Sequence, residues 1–84
     1  GGVNGVFASG AGAIAVGIGH DAAGAGSVAL GTRVTTTVAA AGSFVYGDRS
    51  AASQVQSFTA NEFLVRAAGG TTFYSNAGMT AGVK

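Results

Sequence analysis

Gly26-Ser27-Val28-Ala29-Leu30-Gly31 decides the fold, because it recurs: Gly12-Ala13-Ile14-Ala15-Val16-Gly17 precedes it and Gly42-Ser43-Phe44-Val45-Tyr46-Gly47 follows it. The terminal glycines Gly17, Gly31 and Gly47 fall fourteen and then sixteen residues apart. Ala8-Ser9-Gly10-Ala11 matches Ala22-Ala23-Gly24-Ala25 in the same phase, and Val38-Ala39-Ala40-Ala41 matches more loosely. The two extra residues of the longer period are expected within Thr32-Arg33-Val34-Thr35-Thr36-Thr37. Ser57-Phe58-Thr59-Ala60-Asn61 reads as a decayed fourth copy.

A period this short has no room for two helices and a turn, whereas two short strands and two tight turns fit it. Such a unit is one coil of a solenoid, and stacked coils hydrogen-bond as parallel strands at about 4.8 Å. Glycines at a fixed phase supply the positive φ of sharp corners. Strand alternation puts Ile14, Val16, Val28, Leu30, Phe44 and Tyr46 on one face and Ala13, Ala15, Ser27, Ala29, Ser43 and Val45 on the other. Neither face carries a charge, so both should be covered. A thin coil covers one face itself, which leaves the other for a neighbouring chain. On this reading Val28 and Leu30 are expected to be more buried than Thr35 or Thr36.

Composition agrees. The chain has 84 residues, 48% of them hydrophobic and 8% charged, which is too apolar a balance for the surface of a small monomer. It has no cysteine, and its titratable residues suggest no structural metal site, so association between chains is the remaining means of stabilisation. Arg33, Arg49, Arg66 and Lys84 are scattered and form no basic cluster, which argues against nucleic acid as a partner. The apolar run Val6–Gly19 is too short and too glycine-rich for a spanning helix, so no membrane contact is expected. A start at Gly1-Gly2, with no initiator Met or leader, reads as a piece cut from a longer protein.

The units Gly26–Gly31 and Gly42–Gly47, the latter followed by Asp48-Arg49-Ser50-Ala51, resemble the head repeats of YadA-type trimeric autotransporter adhesins. The resemblance covers roughly Ala8 to Ala52. It implies a left-handed parallel β-roll, three copies of which pack about a common axis. Departures from the family's pattern are the two-residue insertion and the bulky Phe44 and Tyr46 in the third unit.

Beyond Asn61 the pattern changes. Phe63-Leu64-Val65-Arg66-Ala67 and Thr71-Thr72-Phe73-Tyr74-Ser75 flank a turn at Ala68-Gly69-Gly70, and a second turn at Asn76-Ala77-Gly78 leads to Met79–Lys84. The expectation is a three-stranded antiparallel meander, intertwined with two other copies into a β-prism whose interface holds Phe63, Val65 and Phe73. The chain thus divides into a roll over residues 1–56 and a trimerisation section over residues 57–84. Ala60–Gly70 resembles the segment that follows such repeats in bacterial surface fibres and phage tail fibres, ahead of an endosialidase-type intramolecular chaperone.

Candidate chemistry is sparse. Asp48 and Glu62 stand one regular period apart, which would set their backbones about 5 Å apart, near the spacing of a retaining glycosidase pair. Against this, Arg49 and Arg66 are placed to form ion pairs with them between subunits, which keeps both carboxylates charged. His20, read as a turn residue, would form an axial metal or anion ring only if three copies met there. Gly10, Gly12, Gly17 and Gly19 lack the Lys-Ser/Thr of a phosphate loop. Arg33, Thr35, Thr36 and Thr37, expected on an outward bulge, form the candidate ligand contact, and Tyr46, Phe73 and Tyr74 are aromatic residues better suited to an interface than to sugar stacking.

The sequence therefore predicts an all-β homotrimer with no catalytic residues, cofactor or metal. It would be an adhesive or spacing segment of a fibre on a bacterial surface, with itself and a host or prey glycan or protein as partners. A phage tail-fibre shaft is the alternative, and a polysaccharide-degrading tailspike the reading from another class.

Overall fold

The computed structural model describes residues 6–83. Every regular element in that range is a strand: β1 (Val6–Phe7), β2 (Ile14–Ile18), β3 (His20–Ala22), β4 (Val28–Thr32), β5 (Val34–Thr36), β6 (Phe44–Gly47), β7 (Val55–Ser57), β8 (Phe63–Arg66), β9 (Phe73–Tyr74) and β10 (Gly82–Val83). Odd and even strands alternate between two parallel sheets, ordered β1-β3-β5-β7 and β2-β4-β6-β8. The chain is a β-solenoid of about four coils, each contributing one strand to either sheet.

The repeat units stack in register. Ala15, Ala29, Val45 and Leu64 occupy one column, and Val16, Leu30, Tyr46 and Val65 occupy another. The fourth copy is thus Phe63–Arg66; Ser57 instead ends β7, paired with Thr36. The meander expected after residue 56 does not form around Phe63–Arg66. That strand pairs in parallel with β6, so the coils run on through Arg66, and only β9 and β10 make a short antiparallel ladder.

The two extra residues of the third coil lie elsewhere than expected. Asp21 pairs with Thr35 and Ala22 with Thr36, an unbroken spacing of fourteen, so Thr32–Thr36 carries no insertion. The Gly24 and Ala40 carbonyls accept equivalent turn hydrogen bonds from Ser27 and Ser43, which places the extra residues within Thr37-Val38-Ala39. Val38 there is 80% exposed. A second, longer insertion, Asp48–Gln54, widens the corner between β6 and β7.

Interior and exterior sort by size. Ala22, Ala29, Val34, Val45 and Val55 fill the space between the sheets, with Ala13, Ala15 and Leu64 packed against them. Hydroxyl side chains share that space and satisfy one another. Ser27 Oγ lies 2.6 Å from Thr36 Oγ1, Ser43 Oγ donates to the Thr59 carbonyl at 2.7 Å, and Ser57 Oγ donates to Glu62 Oε1 at 2.7 Å. One column of corners repeats a left-handed residue: Gly12 (φ 69°), Gly26 (φ 65°), Gly42 (φ 73°), then Asn61 (φ 60°). Asparagine is among the few side-chain-bearing residues that take this conformation readily, so the fourth coil keeps the corner after losing the glycine.

Candidate functional site

The two sheets present outer surfaces of unlike chemistry. Outside β2-β4-β6-β8 point Ile14, Val16 and Ile18 of the first coil, Val28 and Leu30 of the second, Phe44 and Tyr46 of the third, and Phe63 and Val65 of the fourth. Ile14 is 53% exposed, Val16 59% and Phe63 59%. The Phe44 and Phe63 rings stack at 5.2 Å, and Phe73 of the hairpin lies 6.2 Å from Phe63. The apolar surface is therefore continuous along all four coils and into the tail. Outside β1-β3-β5-β7 the register brings together Phe7, Asp21, Thr35 and Gln56, a mainly polar row.

Burial corrects the expected order for the threonines. Thr36 is completely buried and its Oγ1 is engaged with Ser27 and with the Gly24 N–H at 3.2 Å, so it is removed from the ligand-contact set. Val28 and Leu30 are only half-buried within one chain. Thr35 faces outward and accepts a hydrogen bond from Gln54 Nε2, while Thr37 is partly buried at the start of the inserted corner. Arg33 is exposed at a corner, with φ 54°.

Of the residues expected to form ion pairs between subunits, Asp48 and Arg66 pair within one chain. Arg66 Nε meets Asp48 Oδ1 at 3.1 Å within one chain. Arg66 also donates to the Asp48 carbonyl at 2.7 Å and the Ser53 carbonyl at 2.6 Å, pinning the Asp48–Gln54 insertion onto the last coil. Hydrogen bonds from the Ser50 hydroxyl and the Ala68 N–H outweigh desolvation and, with smaller help from the Ser50 N–H and Arg66, lower the Asp48 carboxyl to about 2. Arg49 is exposed and has no carboxylate within salt-bridge distance among the described residues. Glu62 binds Ser57 at the opposite end of β8 from Arg66.

This placement overturns the spacing argument for a glycosidase pair. The third and fourth coils are offset by nineteen residues along β6 and β8, not fourteen. Glu62 sits beside Ser43 and Asp48 beside Arg66, so roughly 15 Å of strand separates them. His20 is likewise not a solvated turn residue. It opens β3, is 3% exposed and lies inside the coil over Gly17. Neither ring nitrogen has a hydrogen-bond partner among the described residues.

No group of three or more His, Cys, Asp or Glu side chains capable of holding a metal occurs among the described residues. A hollow of about 220 Å³ in the terminal hairpin, lined by Tyr74 and Met79 among others, has no charged lining residue. No protein-family model, curated protein or solved structure matches the chain. The inner hydroxyl ladder was missed from sequence, although Ser27 and Ser43 at one phase of the repeat were its signal.

Proposed function

We propose that this chain is a structural and adhesive segment of a homotrimeric extracellular fibre, self-associated through the outer face of β2-β4-β6-β8. The observation that carries this reading is that face: four coils of exposed or half-exposed Ile, Val, Leu, Phe and Tyr side chains, with no charge among them. Soluble monomers rarely leave a continuous apolar surface of this extent in water. Copies of one chain related by a rotation axis would cover it without an end that recruits further copies.

Two-fold pairing would bury the same surface, and it is the resemblance of the repeats to trimeric adhesin heads that favours three. The polar row Asp21-Thr35-Gln56, with Arg33 nearby, then faces outward as the surface available to a glycan or protein on another cell. Sedimentation equilibrium tests the assembly, with three times the chain mass expected and a stable monomer at micromolar concentration overturning it. A glycan array probed with the assembled protein tests adhesion.

A further inference from the structure

Val6, His20, Val34 and Val55 occupy one inward-facing column, exposed at Val6 and buried from His20 on, so an ionisable ring stands where the other coils carry valine. The ring packs on Gly17, at a point where a Cβ would collide with it and with the Gly31 carbonyl. Gly47 stands in the same relation to Val34 and Val55, so the pocket is the one that receives valine two coils further on. Unlike valine, imidazole brings two nitrogens, and both are buried without a hydrogen bond of good geometry among the described residues, although the Leu30 backbone lies close enough to favour the protonated ring weakly.

We propose that His20 makes the junction between the first and second coils an acid-sensitive latch: closed while the ring is neutral, opened when it takes a proton. The groups packed around it, Val6 of β1, Gly17 of β2, the Leu30 backbone and Gly31 of β4, and Val34 of β5, are uncharged. Asp21 points to the other face of β3 and Arg33 lies on the exposed corner, so neither enters the pocket to pair with an imidazolium. Burial, opposed by a smaller contribution from the Leu30 backbone, lowers the pKa of His20 below its ordinary 6.5.

The sign follows. The open coil binds a proton more readily than the closed one, so the latch is fully stable above about pH 6.5 and weakens as pH falls below it. Each pH unit lost there multiplies the opened fraction by up to about tenfold, until the closed-state pKa is reached. Because coils interact only with their neighbours, opening is confined to the coils that meet at His20, while coils held by Val34 and Val55 stay closed. The proposal does not depend on the trimer reading, since the pocket lies wholly within one chain.

Hydrogen exchange of the intact protein at pH 7.5, 6 and 4.5, corrected for intrinsic rates, tests it, with mass measured in parallel to follow assembly separately. Amides of β2 and β3 should lose protection as pH falls, by up to about tenfold per pH unit, while those of β6 and β8 do not. His20→Val, which copies Val34, should abolish that difference. Equal pH dependence in parent and variant overturns the proposal, as does a parent showing no selective loss. The imidazole proton resonances of the parent provide a second measurement, and reversible titration at or above pH 6.5 with β2 and β3 still protected also overturns it.

Discussion

Arg66 and Asp48 close the last coil on itself: one guanidinium contacts the Asp48 carboxylate at 3.1 Å through Nε and the Asp48 carbonyl at 2.7 Å through Nη2. The same side chain reaches Ser53, so a five-residue excess at the corner is folded down instead of left loose. Arg66→Ala is expected to speed amide exchange across Asp48–Gln54 while leaving β2 and β4 unchanged. Uniform loss of protection would mean that the clasp supports the whole solenoid.

Asp48 also sets an acid limit. Its carboxyl, lowered from 3.8 to about 2 chiefly by Ser50 and Ala68, contributes stability that is complete above about pH 4 and lost as pH falls through about 2. Asp48→Asn should flatten the unfolding midpoint over that interval and leave the His20 range above pH 4.5 untouched. A parent midpoint constant from pH 4 to 2 would contradict the assignment.

Thr36 ties the second and third coils from within, with Ser27 Oγ at 2.6 Å and the Gly24 N–H at 3.2 Å. Thr36→Val keeps the volume but strands both partners, and leaving buried polar groups unpaired costs about 1 to 3 kcal/mol. Thr36→Asp should be more harmful, since it brings a charge into the core with no cation facing it. Chemical denaturation measures both, and an unchanged midpoint in Thr36→Asp would show that the site is not enclosed.

Arg33 holds φ 54° at the corner where the first coil uses Gly19 at φ 67°. A residue with a Cβ pays about 1 to 2 kcal/mol for this conformation, partly offset in glycine by the greater freedom of the unfolded chain. Arg33→Gly should therefore be neutral or stabilising by up to about 1 kcal/mol, so any loss of ligand binding in this variant would report the guanidinium itself. A drop in thermal midpoint would show that the side chain stabilises the corner.

The repeat made the solenoid legible because Gly17, Gly31 and Gly47, with the alternating strands before them, recur at one phase. It did not say which face was inside. Side-chain size does: two closely packed sheets admit Ala15, Ala29 and Val45 between them but not Phe44 or Tyr46. The fourth coil was misplaced because its corner glycine is Asn61 and its spacing is stretched by Asp48–Gln54, so a count of fourteen from Phe44 arrived at Phe58 instead of Phe63. His20 resembled a turn residue only because Gly19, beside it, is the turn. Its register with Val34 appears once strands are paired.

Leu30 and Phe63 test the assembly from the outer face. Both point away from the coil interior, so Leu30→Asp should leave a folded chain that no longer associates, because the new carboxylate is solvated in the monomer and buried only in the oligomer. Phe63 joins Phe44 to Phe73 along that face, which makes it the side chain linking coils to tail. If three copies enclose the ring, Phe63→Ala removes about 3 to 5 kcal/mol per site and leaves the single chain little changed. Thermal unfolding at several protein concentrations separates these effects, because an associated protein melts higher as concentration rises. The expected outcome is a lower midpoint and a steeper concentration dependence for Phe63→Ala, and a concentration-independent transition for Leu30→Asp. A Leu30→Asp protein that keeps the parent's mass and midpoint would place the interface on another surface, and the apolar face of β2-β4-β6-β8 would need a different occupant.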